Sequence, residues 1–244
     1  MKLYTGLIGQ EYAGQTLNYV PGDDQKTYEK NLQEMPIDWY YRNCIISYEY
    51  NNLGHRCKNI TDIDLHNYIL FVGCSHTEGI GLELEKTYPY LIAKFLNIDY
   101  YNLGISSSGL DVFFYNLSSW LIRNPLPSLI ILQWPDEYRF STKKEFSDYI
   151  VPHGSWDIDD EIKDFILTGD NIEYFQTRKK YILEYISYLP VPTINLSCGR
   201  ELILPNALNF KEQDKARDLK HYGINTHINI SNSIIEQIHA RTTP

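Results

Sequence analysis

At 244 residues, with 43% hydrophobic and 22% charged residues, the chain is large enough for one catalytic domain with additions, and its composition excludes wholesale disorder. A net charge of −9 without clusters of Lys and Arg excludes duplex nucleic acid as a partner, because phosphate neutralisation needs such clusters. No run reaches the length of a signal-peptide core or a membrane span, which predicts a soluble protein, cytoplasmic or associated with a virion.

Residues 1–66, rich in Tyr, Asn, Asp and Gly without a sustained period, read as an irregular or partly β N-terminal extension packed on a main domain spanning 67–244. From there strands and helices alternate. An apolar strand at 68–72 leads to a helix at about 86–97, and a strand at 99–103 leads to a helix after Ser108-Gly109. That helix is expected to bury Val112, Phe113, Tyr115, Leu117, Trp120 and Leu121, and Pro125 and Pro127 stop it. Leu129-Ile130-Ile131-Leu132 forms a third strand, ended by Pro135. The polar and aromatic stretch at about 137–172 has the character of an insertion or lid. A helix over 173–189, a short strand at 190–196 and a last helix from Asn225 or Thr226 follow, the last carrying Ile228, Ile230, Ile234, Ile235 and Ile238. This order predicts an α/β fold, a three-layer α/β/α doubly wound and mostly parallel sheet of flavodoxin-like type.

Cys44, Cys57, Cys74 and Cys198 show no CxxC pairing and no zinc-like His spacing, so four reduced, mostly packed thiols and no metal or cofactor are expected. The 21 tyrosines are ascribed mainly to codon bias, with glycan- or protein-binding surfaces as the other source.

The chemistry-bearing residues fall at strand ends. Ser75, in Gly73-Cys74-Ser75-His76-Thr77-Glu78-Gly79, follows the first central strand, at the sheet edge where open α/β proteins hold ligands. A serine hydroxyl needs a base to attack a carbonyl, and Asp218-Leu219-Lys220-His221 offers an imidazole with a carboxylate three residues earlier to orient it. His227 has no such acid before it and reads as a supporting or helix-start residue, and Cys74 as structural. His76, Tyr138, Arg139 and Trp156, with His153, are candidates to shape a substrate pocket.

These residues resemble the SGNH, or GDSL-type, esterases and acylhydrolases over roughly residues 45 to 240. The segment around Ser75 is similar to the family's first block, with Cys74 in place of Asp, and Asn102-Leu103-Gly104-Ile105-Ser106-Ser107 to the second. Asp218-x-x-His221 is similar to the last block, with Gly223 and His227 after it, and Asn52-Leu53-Gly54-His55-Arg56 to a segment preceding the first block in some members. The resemblance implies the SGNH hydrolase fold and a Ser75–His221–Asp218 triad. It also implies an oxyanion hole built from the Ser75 N–H, the N–H of Ser107 where the family has glycine, and a third-block asparagine. Here that block aligns with Gln133-Trp134-Pro135-Asp136, so proline replaces the asparagine and the Gln133 amide is the substitute donor. Loss of one oxyanion donor costs on the order of 10²–10³ in rate.

Three functions fit: an esterase acting through an acyl-enzyme on a small-molecule or glycan ester such as a carbohydrate O-acetyl; an O-acyltransferase; and a weakly active or inactive module with a binding or virion-assembly role, its extension contacting a protein partner.

Overall fold

The computed structural model describes residues 1–157, 159–167, 169–197, 204 and 207–242. The expectation for Cys198 lies outside them. Residues 1–66 carry a hairpin of β1 (Lys2–Tyr4) and β2 (Leu7–Gly9), then β3 (Thr16–Leu17), α1 (Gln25–Glu34) and β4 (Tyr48–Glu49), with β3 and β4 paired antiparallel. α1 was not foreseen. It begins at Asp24, whose carboxylate accepts the Thr27 N–H at 2.9 Å, and Asn31 is its one buried residue, so it shows no apolar stripe.

The body runs β5 (Tyr68–Gly73), the single turn α2 (Ser75–Glu78), α3 (Tyr88–Leu96), β6 (Asp99–Gly104), α4 (Leu110–Arg123), β7 (Leu129–Trp134), the hairpin β8 (Phe140–Lys143) and β9 (Ile150–His153), α5 (Asp160–Leu167), α6 (Gly169–Ser187), β10 (Thr193–Ser197) and α7 (Ile224–Thr242). The hairpin and α5 fall within residues 137–172.

β10, β7, β5 and β6 lie side by side in that order, all parallel. Side chains alternate between the two faces. Tyr68, Leu70 and Val72 of β5 pack with Leu103, Leu132 and Trp134 against Phe113, Leu117 and Trp120 of α4 and Ile182 and Ile186 of α6. Ile69 and Phe71 pack with Ile131 and Ile194 against Tyr88 and Ile92 of α3 and Ile230 and Ile234 of α7. The result is a three-layer α/β/α fold. Tyr115, expected inside, lies on the outer face of its helix, 37% exposed, and Ile228 of the last helix is 42% exposed. Tyr41, Tyr48, Tyr50, Tyr68, Tyr88 and Tyr101 are buried, so many tyrosines serve as core rather than surface.

The chain passes from β5 to β6 on one side and then to β7 on the other, which puts the reversal of strand order between β5 and β7. A crevice opens at the carboxyl ends of such a pair. The residues following β5 are Cys74 and Ser75, and β7 ends on Gln133 and Trp134. No described helix is long and apolar enough to cross a membrane.

Candidate active site

Gly73 ends β5 because nothing larger fits: a Cβ there would collide with Thr77 Oγ1 and lie 2.9 Å from the Gln133 carbonyl oxygen. The chain then turns into α2, where the N–H groups of Thr77 and Glu78 donate to the Cys74 carbonyl, at 2.9 and 3.0 Å. Ser75 is the first residue of this turn, a position whose N–H has no partner within a helix. Its side chain is buried, at 5% exposure.

The loop after β6 closes on that turn. Asn102 Nδ2 donates to the Thr77 carbonyl at 2.8 Å, the Ile105 N–H to the Gly73 carbonyl at 3.2 Å and the Ser106 N–H to Glu78 Oε2 at 2.5 Å. Ser107 adopts a left-handed φ of +65°, the conformation a glycine supplies without strain, so its backbone takes that geometry despite the Cβ.

Asp218 and His221 are brought together by a tight turn. His221 Nδ1 and Asp218 Oδ2 are hydrogen-bonded, and Asp218 Oδ1 accepts the N–H groups of Lys220 and His221, each at 3.0 Å. Leu219, at φ +58°, makes the turn tight enough for this. Burial opposes the Asp218 charge, but the His221 ring and the two N–H groups outweigh it and hold the carboxyl below its usual range. With Nδ1–H directed at Asp218, Nε2 is the lone-pair nitrogen of the neutral ring.

This loop rests on the segment that continues from Ser75. The Arg217 N–H donates to the Gly81 carbonyl at 3.1 Å. The ring of His76 lies edge-on to that of His221, with centroids 5.1 Å apart, and stacks on Tyr222 at 3.8 Å. Burial first, then the nearby His221, His227 and Arg139 charges, keep the His76 pKa well below its ordinary value, so this ring is neutral. Among the described residues no hydrogen bond joins Ser75 to His221. Catalytic contacts of this kind commonly tighten only with substrate bound.

Gln133 is fully buried. Its Oε1 accepts from Thr77 Oγ1 at 2.6 Å and from the Tyr88 hydroxyl at 3.4 Å, while Nε2 has no partner among the described residues. His227, also fully buried, accepts the Tyr88 N–H on Nδ1 at 3.0 Å, and burial takes its pKa down to about 3. It therefore supports α3 as a neutral acceptor. Tyr138 packs its ring edge-on against Phe175, Arg139 lies over Trp156 at 5.0 Å, and His153 is tied to Thr142 and stacked on Phe140.

Several supporting residues were given no role of their own from the sequence. Arg56, fully buried, donates to the carbonyls of Gly79 at 2.6 Å and Leu82 at 2.7 Å, fixing the exit of the Ser75 turn. Glu78 takes hydrogen bonds from Tyr50, Gln10 and Ser106, joining residues 1–66 to both loops, and burial raises its pKa. Asp23 forms a buried ion pair with Arg217, the neighbour of Asp218, at 2.7 Å. Arg56 lay within a recognised segment. Glu78 and Asp23 have roles that only long-range contacts reveal. Cys44 and Cys57 are free thiols, Cys74 is buried, and among the described residues no three His, Cys, Asp or Glu side chains cluster as a metal site.

No family model matches the chain, and no curated protein matches it. Solved structures similar to it include a protein assigned to the lipolytic G-D-S-L family from Desulfitobacterium hafniense DCB-2, at 12% identity and a TM-score of 0.46, covering 69% of this chain and 98% of that one. A carbohydrate esterase family 2 enzyme from Corynascus thermopiles (Myceliophthora fergusii) is 14% identical with a TM-score of 0.45, covering 71% of this chain and 66% of that one. An acetyl xylan esterase from the rumen bacterium Butyrivibrio proteoclasticus is 12% identical with a TM-score of 0.41, covering 72% and 64%.

Proposed function

We propose that the protein is a serine esterase in which Ser75 attacks an ester carbonyl, His221 Nε2 takes its proton, and Asp218 orients the imidazole and stabilises the imidazolium that forms. The alcohol half leaves with the proton from His221, an acyl-Ser75 remains, and water activated by the same ring releases the acid. The observation that carries this reading is the Asp218–His221 hydrogen bond on a loop seated against the Ser75 turn.

The oxyanion is assigned to the N–H groups of Ser75 and Ser107 and to Gln133 Nε2. A buried amide nitrogen without a partner costs about 1–3 kcal/mol, and use of that donor in the transition state gives a reason for the cost. The substrate class is an ester of modest size, with carbohydrate O-acetyl groups as the leading case. Transfer to a second alcohol would use the same acyl-enzyme.

Turnover of 4-nitrophenyl acetate by the wild type and Ser75→Ala tests the reading: a fall of at least about 10⁴-fold is expected, and equal rates would remove it. Gln133→Ala should lower kcat by about 10²–10³. Unchanged turnover would strike Gln133 from the oxyanion hole.

A further inference from the structure

The arginines among the described residues are almost all spoken for. Among the described residues Arg42, Arg56, Arg123, Arg178 and Arg241 donate to main-chain carbonyls, and Arg217 to a carbonyl and to Asp23. Arg139 differs: its guanidinium makes no ion pair and no side-chain hydrogen bond among the described residues. It is nonetheless held in place. Its Cζ lies 5.0 Å from the centroid of the Trp156 ring, and its own carbonyl accepts from Arg178 Nη2 at 2.7 Å.

The position is close to the candidate site. Arg139 follows the carboxyl end of β7 by five residues, and its carbonyl oxygen would be only 2.5 Å from a Cβ on Gly109, two residues beyond Ser107. Its charge is one of those depressing the His76 ring. A cavity of about 330 Å³ opens there, lined by Asp136, Tyr138, Arg139, Gly154, Ser155 and Ile166. Asp136 accepts the Tyr138 N–H at 2.9 Å, forms no ion pair with Arg139, and so leaves the guanidinium fork unclaimed.

We propose that Arg139 and this cavity bind an anionic group of the substrate, a carboxylate placed on the part of the ester that flanks the scissile bond. A planar fork with five donors matches a carboxylate in bidentate geometry, and stacking on an indole fixes its orientation in advance. In a chain of net charge −9, an unpaired cation beside the site adds local attraction for an anion where it is used. The inference rests on the esterase reading and names its substrate class: an ester of an acidic sugar in preference to that of a neutral one.

The test pairs acetylated oligogalacturonate with its methyl-esterified form, which differ in the charge of the sugar carboxyl, and follows acetate release by wild type, Arg139→Gln and Arg139→Lys, with thermal melting to check the fold. The wild type should favour the acidic substrate. Arg139→Gln should lower the acidic-to-neutral ratio of kcat/KM at least tenfold, mainly through KM, and Arg139→Lys should restore only part of it. A ratio unchanged in Arg139→Gln would overturn the proposal. Calorimetric binding of unacetylated oligogalacturonate needs no turnover and separates the two claims. Binding that is lost in Arg139→Gln, with no ester cleaved, would uphold the anion site and reject the esterase. Ester cleavage without any binding of the acidic oligomer would do the reverse.

Discussion

The two halves of the candidate triad stand on different physics. Ser75 is carried by β5, whose six residues are all buried, at a glycine that nothing larger can replace, and hydrogen bonds from Arg56 and to Glu78 hold the turn that follows. His221 and Asp218 sit on a loop that depends on polar contacts with residues 1–66: Arg217 pairs with Asp23, Asn31 Nδ2 donates to the Arg217 carbonyl at 3.0 Å, and a Cβ on Gly22 would be 3.6 Å from His221 Cε1. The nucleophile half is built into the sheet, whereas the acid–base half is strapped down by the N-terminal segment. Burial of apolar area tolerates small changes, while a buried ion pair that loses one partner leaves an uncompensated charge.

That contrast can be sharpened by removing single groups. Asp218→Asn keeps the shape but loses the acceptor that fixes the tautomer, and kcat for an acetyl ester should fall about 10⁴-fold with the melting temperature little changed. Asp23→Ala, far from the ester, leaves Arg217 buried and unpaired. It should cost about 3–5 kcal/mol in chemical denaturation and lower activity as well, because the Asp218 loop is released. A loss of stability with full activity would mean that the strap does not hold the loop.

Buried histidines make the same comparison against pH. His55, in the N-terminal segment, is wedged between the Tyr101 hydroxyl at 3.0 Å and the Ile8 carbonyl at 3.1 Å, and burial takes its pKa down to about 4. Its folded pKa lies below the unfolded one near 6.5, so unfolding takes up a proton between about pH 6.5 and 4, and stability falls as pH drops through that window. His227 acts in the same sense down to about 3. Denaturant midpoints followed across this range should show the decline. His55→Gln should reduce its slope by up to about 1.4 kcal/mol per pH unit, and an unaltered slope would count against a neutral buried ring. The smallest effect is expected at Ser107. Ser107→Gly relieves a left-handed side-chain residue and should raise stability by up to about 1 kcal/mol, less the entropy glycine brings to the unfolded chain.

The strands of the sheet were legible because β5 and the first four residues of β7 are apolar runs, ended by Gly73 and followed by Pro135. α1 was not, since its one buried residue is an amide, Asn31, rather than an apolar stripe. Tyr115 misled because an aromatic residue within an apolar helix reads as core, while its angular position places it outside. At the site, Ser75, Asp218 and His221 could be named because local spacing encodes a strand end and an acid–imidazole pair. Asp23, 194 residues from Arg217 in sequence, and Glu78, 68 from Gln10, could not, because only folding makes them neighbours.

Activation of Ser75 by His221 is the step on which the mechanism depends. An organophosphonate serine probe, followed by mass spectrometry of the labelled peptide, asks this directly. Label confined to Ser75 in the wild type and absent in His221→Ala is the expected result. No label on Ser75, or equal labelling in both proteins, would contradict it.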